Sequence, residues 1–383
     1  GERRLNDHHA LRTIDSDELV FRVEDANERS PMKMDPKRPC RDADYVHRPS
    51  TMEELSEEEA RARVARGESL LVEGIAGVGK TTFLQSLVQE LRAKGQSVCI
   101  ISKTHCASAR AGGITADAFV RRHLMHGSCI FDVIWADEVF QLDIALLAQI
   151  NKISNRQWLL SGDCNQFPPL FNSWRGAAVD DDAFERSNLL KTLCGRNRLT
   201  LKVCRRSDGE LFDWYSSLIR GGCRFHLPLQ EVLQEARSRF RLQGPAAHSL
   251  CISHRRRIQL NREANERERK GHQAVLVRGA QSMWVWPGLM LLGCAGNRKI
   301  QNGVTYEITS ISEDTITLGD ITLAYPQVAA SLRLGYCRTY ASVQGDEFSG
   351  TLALWDTDNR HFTMRHLFVA LSRAKRAEDI CVN

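Results

Sequence analysis

The chain of 383 residues is long enough for two or three domains of about 150 residues each, and its 42% hydrophobic content suffices for ordinary buried cores. Lys and Arg number 52 against 47 Asp and Glu, a net charge of +5, so no global imbalance points to nucleic acid or a membrane surface and any basic groove must be local. No apolar run approaches the roughly 18 residues of a membrane span, and the first thirty residues lack the apolar stretch of a signal peptide.

The expectation is therefore an intracellular protein of the nucleus or cytoplasm, or of viral origin, with no membrane partner. Twelve cysteines are scattered, several inside apolar stretches such as SVCII, and no CxxC pair occurs. They read as reduced core thiols rather than as a disulfide scaffold or a zinc site. A first residue of Gly rather than Met suggests a fragment or a processed product.

Residues 1–50 carry ten basic and eleven acidic side chains with few apolar anchors beyond LVFRV at 19–23, and read as a disordered tail or linker. From Thr51, TMEELSEEEARARVARG has the Ser/Thr start, acidic first turn and closing Gly67 of a charged helix. Short apolar runs without alternation follow at SLLVEG (69–74), SVCIIS (97–102), FDVIWAD (131–137) and QWLLSGD (157–163), separated by helical patterns. That texture predicts βαβ units, a parallel sheet buried on both faces, over 51–200. HSLCIS (248–253) opens a second α/β series within 201–383. Between about 284 and 335 the text turns rich in Thr, Val, Ile and Gly with NG and GD turns, which predicts a small antiparallel, barrel-like β insertion.

GIAGVGKTT satisfies GxxxxGK[ST] between a strand and a helix, which is where its mechanism requires it. Gly74, Gly77, Val78 and Gly79 would turn backbone amides around an oxyanion, Lys80 would reach the β and γ phosphates, and Thr81 would ligate Mg2+ with Thr82 beside it. The strand FDVIWAD ends in Asp137 and Glu138, one placed to hold hydrated magnesium and the other to polarise water. The plain alternative is an acidic pair capping the next helix.

From this point the residues resemble superfamily 1 helicases, most closely the RecD-like branch, over about 55–383. The resemblance implies two RecA-like parallel-sheet domains that bind ATP and Mg2+ between them and single-stranded nucleic acid across their tops. SKTHCASARAGG and ITADAF are similar to the family's first strand-contacting segments, LLSGDCNQFPP to its third motif with Gln166 sensing the γ phosphate, and LKVCRRSD to its fourth with Arg205 as a cation. TYASVQGDEF resembles the fifth, with Thr339, Gln344, Gly345 and Glu347 matching, and HLFVALSRAK the sixth, with Arg373 as an arginine finger. For the strand it implies Thr104, His105, Thr115, Phe119 and Thr339 as contacts; Phe119 has a core residue as its alternative. Glu59 stands where the family carries an adenine-reading Gln, and Ala341, Ser342 and Val343 replace its usual fifth-motif residues.

The implied activity is an ATP-dependent helicase or translocase on single-stranded DNA, with RNA possible, moving 5′ to 3′ as a monomer in replication, repair or recombination. A viral-type RNA helicase and a non-motor nucleotide switch remain open beside it. HRRRIQLNREANERERKGH (254–272), with seven basic residues against three Glu, either tracks a phosphate backbone or is a solvated helix face.

Overall fold

The computed structural model describes residues 51–103, 112–125, 129–153, 156–169, 172–174, 177–219, 225, 227–294 and 299–383. The segment 1–50, Thr104 and His105 lie outside the described residues.

The first half is built on seven strands: β1 (Glu53–Glu54), β2 (Leu70–Glu73), β3 (Val98–Ser102), β4 (Ile114–Thr115), β5 (Val133–Ala136), β6 (Gln157–Gly162) and, after the short hairpin β7 (Ser173–Trp174) and β8 (Ala177–Ala178), β9 (Asn197–Thr200). They are all parallel, in the order β1-β9-β2-β6-β5-β3-β4. Strand side chains point to alternate faces, and the apolar runs accordingly divide between two cores. Leu70, Val72, Val98, Ile100, Val133 and Trp135 pack under α1 (Glu57–Ala65) and α2 (Lys80–Ala93). Leu71, Cys99, Ile101, Ile134, Ala136 and Leu160 pack on the other face, under α3 (Ala116–Phe119) and α4 (Ile144–Ile150), with α5 (Ala183–Arg186) and α6 (Asn188–Leu193) alongside. Continuous apolar runs are what burial on both faces demands. The sequence reading missed β1, β4 and β9, whose texts EE, IT and NRLT hold no such run.

The second half carries the parallel sheet β19-β10-β20-β21, from β10 (His248–Cys251), β19 (Cys337–Thr339), β20 (Leu352–Leu354) and β21 (Ile380–Val382). One face is covered by α7 (Gly209–Ser217), α8 (Leu229–Arg239) and α11 (Met364–Leu371). The other packs on α9 (His254–Glu268) through Cys251, Cys337 and Leu260. Between β10 and β19 lie β11 (Val275–Val277), β12 (Met283–Val285), β13 (Met290–Gly293), β14 (Thr305–Glu307), β15 (Ser310–Ile311), β16 (Thr315–Leu318), β17 (Ile321–Ala324), α10 (Tyr325–Ser331) and β18 (Leu332–Leu334). Their ladders are antiparallel and share one core around Leu291, Ile308, Ile316 and Val328. The insertion thus starts nine residues before the expected position, at Val275, and holds a helix that its Thr-rich text concealed. Pro326 in the first turn and the two alanines at 329 and 330 favour that helix. The nine described cysteines are all free, five of them buried.

Candidate nucleotide site and strand face

Gly79 has φ +89° as the N-cap of α2, a conformation that costs a side chain. At Gly74 a Cβ would come within 2.6 Å of the Leu201 carbonyl oxygen. Lys80 is only 8% exposed, and its Nζ donates to the carbonyls of Gly74 at 2.7 Å and Ile75 at 3.2 Å, which folds the loop around its own cation. Two residues beyond the first sheet strap the loop from outside. The Arg205 amide donates to the Gly77 carbonyl at 2.8 Å, and the Tyr215 hydroxyl of α7 donates to that of Ala76 at 3.1 Å.

Asp137 and Glu138 leave the carboxyl end of β5. Trp135 Nε1 donates to Ser161 Oγ at 2.9 Å, and that hydroxyl donates to Asp137 Oδ1 at 2.6 Å, so a buried relay fixes the Asp137 carboxylate. Glu138 sits in the left-handed region at φ +52°, strained backbone of the kind that functional sites retain. Burial pushes its carboxyl up to about 7; Asp137 adds to this, while Lys80 and Arg373 oppose it. Gln166 is 3% exposed and its buried Oε1 has no partner among the described residues, a costly arrangement unless a ligand supplies one.

From the second half come Gly345, Glu347 and Arg373. Arg373 is 2% exposed; its guanidinium donates to the carbonyls of Val369 and Asp346 and to Ser372 Oγ. Burial, then the neighbouring Arg206, pull it down to about 10, which leaves it charged at neutral pH. Lys80, Thr81, Thr82, Gly77, Gly79, Asp137, Glu138, Gln166, Arg205, Gly345, Glu347 and Arg373 all line one cleft of about 450 Å3. Gly74 contributes through its carbonyl on Lys80, and Val78 is packed in the core at 2% exposure. Arg206, not singled out from sequence, also lines the cleft and pairs with Glu347 at 3.1 Å, while Lys375 holds the other oxygen of Glu347 at 3.3 Å. The doublet Arg205–Arg206 was the one available signal for it.

A second cavity of about 440 Å3 adjoins the cleft through Arg205; Leu55, Val78, Leu199, Leu201 and Val203 wall it together with the polar Glu54, Ser56, Glu57, Thr200 and Lys202. Glu59 does not line it. Its carboxylate accepts from the amide and hydroxyl of Ser56, both at 2.9 Å, in a capping box at the start of α1, which holds it below the ordinary carboxylate range.

Residues 70–175 match the profile of the viral superfamily 1 RNA helicase core domain. Among curated proteins the chain is similar to the ATP-dependent DNA helicase PIF1 of Candida albicans, 29% identical over 184 residues, which is 39% of this chain and 20% of that protein. The match thus spans about one fifth of the relative's length. In three dimensions the chain is similar to the Pif1 helicase from Candida albicans, at a TM-score of 0.60 and 19% identity, covering 86% of this chain and 94% of that one. It is also similar to the Pif1 helicase from Bacteroides in complex with ADP-AlF3 and ssDNA, at 0.59 and 15%, covering 86% and 92%. The fold is the one these solved helicase structures share.

In this fold the strand-contacting candidates divide sharply. Phe119 is a correction: it is 0% exposed, packed in the first core with its ring 5.2 Å from that of His123, and has no face to offer a base. A helical aromatic one turn into an amphipathic segment buries because the transfer of its ring from water outweighs any exposed role. Thr115 is 8% exposed, and its hydroxyl accepts from the Ala118 amide as the cap of α3. Thr339 stands at the end of β19, half-buried, with its carbonyl accepting from Ser342 Oγ at 2.9 Å. The basic run 254–272 is α9 over most of its length. It buries Arg257, Leu260, Asn261, Ala264 and Asn265, and Asn261 pins the backbone of Cys337 in both directions.

Glu73, the last residue of β2 before the phosphate loop, has a side chain 16% exposed and 3.6 Å from Arg198. Burial pushes its carboxyl up to about 7 in spite of Arg198. A carboxyl raised above its unfolded value of 4.5 binds more protons in the folded state, so its contribution to stability falls as pH rises through that window. Glu73→Gln should therefore stabilise the chain by about 1–3 kcal/mol at pH 8 and by much less at pH 5. Urea denaturation at the two pH values checks this, and a gain of equal size at both would contradict it.

Proposed function

We propose that the chain is an ATP-driven helicase or translocase on single-stranded nucleic acid, DNA in preference to RNA, moving 5′ to 3′. The observation that carries the reading is the single cleft into which the first sheet delivers Lys80, Asp137, Glu138 and Gln166 and the second half delivers Arg373 and Glu347. Such a cleft makes hydrolysis depend on the relative position of the two halves, which is the requirement for converting it into steps.

In this reading Lys80, Arg205 and Arg206 neutralise the phosphates. Glu138 accepts a proton from the attacking water, which its left-handed backbone aims into the cleft, and Arg373 stabilises charge on the transferring phosphoryl group. The donor set also fits Mg2+: the Thr81 hydroxyl and the Asp137 carboxylate, oriented by Ser161, line the same cleft, and the ion would supply charge neutralisation there. The buried Gln166 Oε1 fits a partner that arrives with the nucleotide.

The resemblance to the RecD-like branch supports the polarity, and the DNA-helicase relatives support DNA. Thr339 carries the strand-side assignment, with Thr104 and His105. Action as a monomer on the strand is part of the same reading. The free described cysteines fit a reducing compartment, and a role in replication, repair or recombination is part of the same proposal.

The test is steady-state hydrolysis without nucleic acid, with single-stranded DNA and with single-stranded RNA, using Glu138→Gln as the blank. DNA should stimulate hydrolysis about tenfold or more. Stimulation by RNA alone would instead favour the viral-type RNA helicase, and indifference to both a nucleotide switch.

The cavity beside Val78 would take the base. Glu59, which stands in the adenine-reading position of the resemblance, is held in its capping box and does not line this cavity, so the family's usual reader of a purine edge is absent from it. We expect kcat/KM for ATP and GTP to agree within about tenfold, because rejection by larger factors needs hydrogen-bonding groups built to read the base. A preference for ATP of a hundredfold or more would contradict this.

A further inference from the structure

An ion pair that neither the cleft chemistry nor the strand contact uses ties β19 to the segment that joins it to β20. Arg338 and Asp346 have side chains 11% and 5% exposed, with Arg338 Nη1 2.5 Å from Asp346 Oδ2. The other terminal nitrogen, Nη2, donates to the Ser342 carbonyl at 2.6 Å, and Ser342 Oγ donates to the Thr339 carbonyl at 2.9 Å. One guanidinium therefore spans the turn 339–346 from its strand end to its cleft end.

The cleft end is in turn fastened to Arg373. The Asp346 carbonyl accepts from Arg373 Nη1 at 3.1 Å, and the Phe348 amide donates to the Arg373 carbonyl at 3.1 Å. The same turn touches the first half of the molecule, since Gln344 Nε2 donates to the carbonyl of Phe167, the residue next to Gln166, at 3.0 Å. A displacement of Arg373 thus moves Asp346 by its backbone, and Asp346 holds Arg338 by its carboxylate.

A structural role alone explains this poorly. Burying two charges costs several kcal/mol each before their attraction is counted, and a well-packed apolar pair in the same place is often as stable or more so. What an apolar pair cannot supply is a forked reach, with Nη1 on a carboxylate and Nη2 on a carbonyl.

We propose that Arg338 and Asp346 are positioning residues that couple the strand-contacting end of this turn, at Thr339 and Ser342, to Arg373 in the nucleotide cleft. The proposal rests on the motor reading above. Neither residue lines the cleft, so neither touches the nucleotide.

The experiment compares hydrolysis with and without single-stranded DNA, together with melting temperature, for the wild-type chain, Arg338→Lys, Asp346→Asn, and the double variant Arg338→Met with Asp346→Leu. The single variants risk leaving a buried unpaired charge; the double variant removes both charges and should fold. In all of them we expect the strand-free rate to stay within about twofold of wild type. Stimulation by the strand should fall about tenfold in Asp346→Asn and in the double variant. Arg338→Lys should fall between these and wild type, because an ammonium keeps the carboxylate and loses the Ser342 carbonyl. Wild-type stimulation in a folded double variant overturns the proposal, as does a parallel fall of both rates. A wild-type chain that no strand stimulates overturns the motor reading and this coupling with it, which separates the two failures.

Discussion

Lys80→Ala should lower kcat/KM for nucleotide hydrolysis by about a thousandfold or more, with a melting temperature close to that of the wild-type chain. The Lys80 ammonium is withdrawn to 8% exposure and bonds the carbonyls of Gly74 and Ile75 in its own loop. Those bonds are local, and the loop keeps its outer ties through the Arg205 amide and the Tyr215 hydroxyl. The loss should therefore fall on phosphate charge neutralisation. Circular dichroism and thermal melting report on the fold, and a coupled phosphate-release assay reports on turnover. Turnover within about tenfold of wild type in a folded variant would refute the nucleotide-site assignment.

Arg373→Ala should divide binding from chemistry. A cation contributed to phosphoryl transfer from a second structural unit is worth about a thousandfold or more in kcat, whereas nucleotide affinity, held by the loop and Lys80, should change by less than about tenfold. Arg373 is also 2% exposed and bonded to three backbone or hydroxyl oxygens, so alanine leaves acceptors unpaired. Arg373→Lys keeps the charge but gives up the forked geometry, and serves as the second variant. Titration with a fluorescent nucleotide and single-turnover hydrolysis separate the two quantities. Equal losses in affinity and rate would remove Arg373 from the transition state.

The four strands β2, β6, β5 and β3 of the first sheet were legible because they are buried and must read as unbroken apolar runs. Val98 to Ile101 and Val133 to Ala136 have no plausible alternative at that length. The cleft was legible for a different reason. Loop-borne residues at fixed spacing, Gly74 to Thr81 and then Asp137 and Glu138, are set by the chemistry of a phosphate rather than by packing.

What escaped the sequence is what depends on distant partners. Ser161 supports Asp137 from 24 residues away, and the Gln344 amide meets Phe167 across 177 residues. Nothing local in either segment signals the meeting. Phe119 failed because an aromatic residue in a short helix has the same local pattern whether it fills a core or faces a base. Glu59 occupied the expected place in the alignment of motifs, yet a serine three residues earlier claimed its carboxylate.

The two outer ties on the phosphate loop bear on how a spent nucleotide would leave. Tyr215 belongs to a helix packed in the second core, with its ring 5.8 Å from that of Phe368, and its hydroxyl holds the Ala76 carbonyl. A rotation that parts the two halves therefore cannot leave the loop at rest: it draws on Ala76 and, through Arg205, on Gly77, the backbone that would cradle a diphosphate. In the motor reading, opening and product expulsion would be one mechanical event, with its rate governed by residues outside the loop itself.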